Sequence, residues 1–305
     1  MRIAIVVPAY NVAPFIRDTI QSVIDQTHPD WSLVIVDDGS TDATTAVADS
    51  FADPRIHVIR QASAGVSAAR NRGIRDAGYA DAYLFLDGDD WLAPDALFRL
   101  AEALEDAPWA AAVCGRYARI AAGGSTHPSA APPHGCLLER LLVRNLFANG
   151  GHILIRQEAV EAAGRFREDL RYGEDWEYWT RIALCGEFAA VPSGPPVLFV
   201  RERTDGAYLS HAADPKSYAP AIEAMHRNPA MANRLGRSRL ADLRRLAEAE
   251  TAWCVGRELI RHGRRRDGAG WLARSIRGAP TVRRLALFSL SWSRFGPFRA
   301  YHEAA

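Results

Sequence analysis

The chain has 305 residues, enough for one large or two small domains around a sizeable core. Hydrophobic residues make up 48% and charged residues 24%, the balance of a soluble globular protein, and a formal net charge of +1 argues against a nucleic-acid partner. No apolar run reaches the roughly 18 residues of a membrane-spanning helix, the N-terminus lacks a signal-peptide pattern, and the four distant cysteines (Cys114, Cys136, Cys185, Cys254) form no metal-ligand spacing, so free thiols in a reducing cytoplasm are expected.

Strand and helix signals alternate through the first half. Residues 3–7 form a short β-branched run that predicts a strand, followed by a Pro8-Ala9-Tyr10-Asn11 loop. Phe15, Ile16, Thr19, Ile20, Val23 and Ile24 recur at helical spacing. A second strand, 31–36, ends in Asp37-Asp38-Gly39-Ser40, and Thr41 or Asp42 can cap the helix after it. Residues 56–60, 67–77 and 82–86 read as strand, helix and strand. The pattern predicts an α/β fold, a mostly parallel Rossmann-like sheet flanked by helices. Ligands of such sheets bind beyond the carboxyl ends of the strands. Three predicted strands end in polar or acidic clusters, which therefore converge on one rim.

The last of these clusters is the densest. The apolar run Leu84-Phe85-Leu86 stops in Asp87-Gly88-Asp89-Asp90-Trp91, three carboxylates within four residues. Crowded carboxylates repel one another and resist desolvation, so they must face water or hold a hard divalent cation such as Mg²⁺ or Mn²⁺. Asp90 is also placed to cap a helix over 94–104.

Residues 121–136, rich in Gly, Ser, His and Pro, read as a long loop of the kind used for lids or binding. Residues 153–155 suggest another strand, Glu174-Asp175-Trp176-Glu177-Tyr178-Trp179 opens a helix, and 203–218 read as loop. The remainder is helical and Arg-rich: residues 221–305 carry 17 Arg against 7 Asp and Glu, which leaves the front of the chain acidic. Segments 251–262 and 268–277, joined at Gly263, resemble one helical hairpin of a tetratricopeptide-like unit. The segment 285–301 is basic, amphipathic and Trp-containing, suited either to an anionic membrane surface or to packing on its own domain.

Taken in order, Ile5-Val6-Val7-Pro8-Ala9-Tyr10-Asn11, Gln26-Thr27, Val36-Asp37-Asp38-Gly39-Ser40-Thr41-Asp42, Gly65-Val66-Ser67-Ala68-Ala69-Arg70-Asn71-Arg72-Gly73-Ile74, Asp87-Gly88-Asp89-Asp90 and Glu174-Asp175-Trp176 resemble the family 2 glycosyltransferases of GT-A fold. The resemblance covers roughly residues 1–200. It implies a GT-A catalytic domain over 1–215, with a nucleotide-sugar half to about 110 and an acceptor half over 111–215; the Arg-rich helical region over 216–305 is read from its own pattern, and the resemblance covers it poorly. It implies inverting transfer of a sugar from a nucleotide diphosphate, a UDP-sugar first, to a hydroxyl of a saccharide or lipid-linked saccharide. The setting it implies is bacterial surface polysaccharide or glycolipid synthesis, in the cytoplasm or peripherally on the inner face of the cell membrane.

Carried residue by residue, the resemblance implies that Pro8 and Tyr10 flank the base, with Asn11 beside them, and that Asp38 accepts from the uracil ring. Arg70 reaches a phosphate or the donor sugar. Asp87 contacts the ribose or the metal, and Asp89, with Asp90 sharing the role, holds Mn²⁺ or Mg²⁺. Asp175 is the implied catalytic base and Glu174 its orienting neighbour. Trp176 and Tyr178 are candidates for an acceptor platform. His152 is a candidate acceptor contact or a satisfied structural histidine. Relatives often carry a late histidine near the phosphates; here the region reads Val200-Arg201-Glu202-Arg203, so Arg201 or Arg203 is the candidate to neutralise the diphosphate. A nucleotidyltransferase is disfavoured because Pro8–Asn11 has neither glycine nor a basic residue. Intact Asp89 and Asp175 argue against a non-catalytic sugar-nucleotide-binding subunit.

Overall fold

A computed structural model describes residues 1–121, 123–203 and 211–290. Two compact units emerge. The first comprises Met1–Leu138 with Leu146–Arg203; the second comprises Glu139–Asn145 with the described residues beyond Arg203.

In the first unit the order runs β1 (Ile3–Ala9), α1 (Ile16–Ile24), β2 (Trp31–Asp37), α2 (Thr44–Asp49), β3 (Ile56–Arg60), α3 (Val66–Asp76) and β4 (Ala82–Phe85). It continues through β5 (Trp91–Leu92), α4 (Ala96–Glu105), β6 (Ala110–Cys114), β7 (Tyr117–Ile120) and β8 (Thr126–Pro128). After α5 (Leu138–Val143), which beyond Leu138 belongs to the second unit, come β9 (Ile153–Arg156), α6 (Gln157–Ala163), α7 (Glu174–Cys185), β10 (Glu187–Ala190) and β11 (Leu198–Arg201). Among the described residues, seven strands form one sheet in the order β10-β6-β9-β4-β1-β2-β3. Neighbours from β4 to β3 are parallel, and β9 runs antiparallel between β4 and β6. Strands β5, β11, β7 and β8 make a second, smaller sheet.

The sequence dictates this layering. Every residue of β2 is buried, as are nearly all of β1, because helices cover both faces of a parallel sheet. On α1 the buried positions Ile16, Thr19, Ile20 and Val23 follow the i, i+3, i+4, i+7 stripe. Helix α3 comes so close to β1 that a Cβ on Gly73 would lie 2.2 Å from Val6 Cγ1. Chain order reverses between β1 and β4, the switch point at which α/β sheets bind ligands. The β1 exit loop and the acidic β4 exit loop are therefore neighbours: a Cβ on Gly88 would approach the Pro8 carbonyl at 3.2 Å.

Two expectations need correction. The 121–136 stretch is not loop throughout: Thr126–Pro128 pairs antiparallel with β7, and the Ala121 N–H donates to the Ser125 carbonyl at 3.0 Å. Asp90 caps no helix, because β5 intervenes and α4 begins after Asp95. The four cysteines are free thiols, as expected.

The second unit contains α8 (Pro215–Arg227), α9 (Pro229–Leu235), α10 (Arg237–Arg261), α11 (Arg265–Gly278) and α12 (Val282–Leu290). Helices α8 and α9 open with Pro at the first position, and the side chains of Asp214 and Asn228 cap them by accepting from Lys216 and Ala230 backbone N–H. The 203–218 stretch is thus helical from Pro215, and 204–210 lie outside the described residues. Helices α10 and α11 form the expected hairpin, turning through Gly263 at φ +79°. Helix α10 is twice as long as the sequence suggested, beginning at Arg237. The basic segment 285–301 enters α12, and its portion beyond 290 lies outside the described residues. Among those residues no helix is long and apolar enough to cross a membrane.

Candidate active site

The β1 and β2 exits are stitched together before any ligand arrives. Asn11, at φ +50°, donates its backbone N–H to Ser40 Oγ at 3.0 Å and accepts from Thr41 N at 2.9 Å. Asp37 accepts from Ser40 N and from Thr45 Oγ1. Asp38 is fully engaged. One carboxylate oxygen accepts from Gln61 Nε2 (2.7 Å) and Ala64 N (2.9 Å), the other from Gly65 N (2.8 Å) and Ser63 Oγ (3.3 Å). A carboxylate offers about four lone-pair sites, so Asp38 fixes the loop that launches α3. A base N–H would have to take the place of the long Ser63 bond. Tyr10 stands 53% exposed on the same rim, beside Pro8.

Arg70 joins residues far apart in sequence. Its guanidinium donates to Asp87 Oδ1 at 3.0 Å and to Glu174 Oε1 at 2.9 Å. The start of α7 therefore lies against the exit of β4. Buried Arg70 stays charged because Asp87, Glu174 and Asp175 surround it, outweighing the desolvation that opposes charge. Two acids thus occupy the arginine that was expected to meet a phosphate. Burial, then the adjacent Glu174 charge, pushes the Asp175 carboxyl up to about 7, against the opposing pull of Arg70.

The three acidic residues after β4 part ways. Asp87 and Asp89 keep side-chain exposures of 31% and 24%. Asp90 is 2% exposed, and its carboxylate accepts from Asn149 Nδ2 at 2.5 Å and from Arg201 N at 2.9 Å. Desolvation first, then the charges of Asp87 and Asp89, raises its pKa well above the usual carboxylate range. Asp90 therefore holds the β4 exit to β11 and does not join the other two on the rim. Thr19 Oγ1 lies 2.7 Å from the Asp90 carbonyl and 3.0 Å from that of Gly88, securing the loop from below. Asp89 accepts from Arg203 Nη1 at 3.0 Å, and Arg201 Nε donates to the Asp89 carbonyl at 3.1 Å. Burial and Asp87 raise the Asp89 pKa, which Arg203 lowers in part. Among the described residues, no group of three or more His, Cys, Asp or Glu side chains converges as a metal cage.

The candidate acceptor contacts are not on this rim. His152 is buried, its Nδ1 2.9 Å from the Gly115 carbonyl and its Nε2 3.4 Å from Ala148 N–H. Burial lowers its pKa to about 4, so it is a neutral structural histidine between Tyr117 and Phe147. Trp176 and Tyr178 are core residues. Tyr178 stacks on Phe166 with centroids 3.8 Å apart, and Phe85 and Trp179 complete the cluster. Helix α7 buries residues 176–180 consecutively, all round its axis, so no aromatic platform faces outward.

Sequence reasoning missed Asn149, whose only signal is its place before Gly150-Gly151. Gln26 also proved structural: it donates to the Ala93 carbonyl and accepts from Leu97 N, pinning the start of α4.

A switch-point rim with an acidic β4 exit, in this strand order, belongs to the GT-A class of α/β folds. Solved structures of similar fold include TarS 1–349 from S. aureus in complex with UDP-GlcNAc (TM-score 0.70, 17% identity, 95% of this chain and 87% of that one). Another is the mannosyltransferase PcManGT from Pyrobaculum calidifontis in complex with GDP-Man and Mn²⁺ (TM-score 0.57, 21% identity, 94% and 78%). The family model of glycosyl transferase family 2 matches residues 4–164, and the chain belongs to that family. The uncharacterized glycosyltransferase EpsJ of Bacillus subtilis is 34% identical over 187 residues, 57% of this chain and 53% of EpsJ. The putative teichuronic acid biosynthesis glycosyltransferase TuaG of Bacillus subtilis is 39% identical over 98 residues, 31% of this chain and 38% of TuaG. The chain thus spans about half the length of EpsJ and less of TuaG.

Proposed function

We propose that this protein transfers a glycosyl group, with inversion, from a nucleotide diphosphate sugar to an acceptor hydroxyl in polysaccharide or glycolipid synthesis. A UDP-sugar is the first candidate donor. The observation that carries the reading is the Arg70 bridge, which joins the acidic β4 exit at Asp87 to Glu174, the neighbour of Asp175, through an arginine 104 residues before Glu174 in sequence.

The donor fits the β1–β4 switch point, with Tyr10 and Pro8 at the base and Asp87 toward the ribose or the metal. Two partly exposed carboxylates suit Mg²⁺ or Mn²⁺, which use one or two carboxylates and complete their shell with substrate phosphates. Asp89 and Asp87 would hold the ion, whose chemistry is to stabilise charge growing on the diphosphate. Arg203, paired with Asp89, is close enough to share that role. Asp175 accepts the proton of the acceptor hydroxyl. The hydroxyl oxygen attacks the anomeric carbon as the bond from that carbon to the diphosphate oxygen breaks, and the bonding pair leaves with the diphosphate. One displacement on the face opposite the leaving group gives inversion. A pKa near 7 matches a general base working near neutral pH.

Thermal unfolding with UDP and Mn²⁺, paired with donor turnover, tests both assignments. Asp175→Asn should lose transfer, by about 100-fold or more, and keep the nucleotide-dependent shift. Asp89→Ala should lose the metal-dependent part of that shift. A fully active Asp175→Asn variant removes the base assignment, and an unchanged shift in Asp89→Ala removes the metal assignment.

A further inference from the structure

The second unit has a cleft of its own, with a volume of about 640 Å³. That falls within the roughly 300–1,000 Å³ of small-molecule sites. Its lining includes Asp214, Leu259, Arg264, Trp271, Arg274 and Arg277. Two of these charges already have partners: Arg264 pairs with Asp267 at 2.8 Å, and Asp214 caps α8 through Lys216 N at 3.0 Å. Arg274 and Arg277 have no carboxylate partner among the described residues. The Arg274 guanidinium lies 5.1 Å from the centre of the Trp271 ring.

The wall that carries these groups is preset. Helices α10 and α11 cross at Gly256 and Gly268, where a Cβ on Gly268 would lie 2.6 Å from the Gly256 carbonyl oxygen. Leu272, one residue from Trp271, is fully buried in that contact. Such a rigid wall spares a ligand the cost of ordering it.

We propose that this cleft binds an anionic saccharide, a chain carrying carboxylate or phosphodiester groups. An indole face packs against the C–H face of a sugar ring. Two guanidinium groups without acidic partners offer planar, bidentate donors to carboxylate or phosphate oxygens. A lipid surface fits less well. Membrane-binding helices present a convex apolar face, whereas here the surface is concave and Leu259 is buried at its floor. The inference goes beyond the transfer reaction and does not depend on it.

The test uses the full chain and three fluorescent probes: a hyaluronan hexasaccharide, a glycerol-phosphate oligomer and neutral chitohexaose. At least one charged probe should bind, more weakly as salt is raised, and the neutral probe should not. The double variant Arg274→Gln/Arg277→Gln and the variant Trp271→Ala should each weaken binding by about tenfold or more, while Trp271→Tyr retains it. An unchanged melting profile shows that the variants fold. Three results overturn the proposal: no charged probe bound at millimolar concentration, equal binding of neutral and charged probes, or variants that bind like the parent chain. Arginine-dependent capture of phosphatidylglycerol vesicles with neither oligomer bound also overturns it, and makes this a lipid-contact face.

Discussion

Asp175 shows how surroundings set the protonation of a carboxyl group. Glu174 is held by Arg70, and the neighbouring Asp175 accepts from Trp176 N at 2.6 Å. Burial and the Glu174 charge keep a proton on Asp175 up to about pH 7. If Asp175 is the base, kcat/KM rises with pH through about 7, and Asp175→Asn removes that limb. A pH–rate profile flat from 5.5 to 8 contradicts the role. The linkage to stability has the opposite sense. Between about pH 4 and 7 the folded chain holds a proton that the unfolded chain releases, so this group's stabilising contribution is complete at low pH and lost as pH rises through about 7.

At the scale of elements, glycines set the closest approaches. Helix α3 can lie on β1 only because Gly73 has no side chain, since a Cβ there would overlap Val6. Gly73→Ala should destabilise the protein by about 1–3 kcal/mol, read from denaturant midpoints. An unchanged midpoint means that α3 shifts without cost. These elements were largely legible in the sequence: β-branched runs gave β1 to β3 nearly residue for residue, and strand ends rich in Asp, Gly and Ser marked the rim. The fates of Asp90, Trp176, Tyr178 and His152 were not legible. Each lies beside motif residues in sequence, and only tertiary contacts decide which way its side chain faces. A buried acid needs Asn149 and Arg201 N to be recognised as internal, and neither carries a sequence signal. Arg70 was legible as important but not as a bridge, because its partners lie 17 and 104 residues away.

The acidic front and basic tail seen in the sequence fall largely on the two compact units. The switch-point rim lies entirely in the first. Nucleotide with Mn²⁺ should therefore stabilise that unit, by about 2.7 kcal/mol at 100 times the dissociation constant. Calorimetry across UDP, GDP, TDP and CMP identifies the donor class by which nucleotide moves the transition. No shift with any of the four contradicts a donor site at the rim.

The Arg70 bridge also bears on motion. With 5% of its surface exposed and a carboxylate on either side, Arg70 cannot release one partner without leaving buried charge unbalanced. The β4 exit and the first turn of α7 then open as a single cooperative event, so their amide protons should exchange with solvent at matched rates. Asp87 and Glu174, the two carboxylates that Arg70 holds, would in that way keep one common spacing through every fluctuation short of local unfolding.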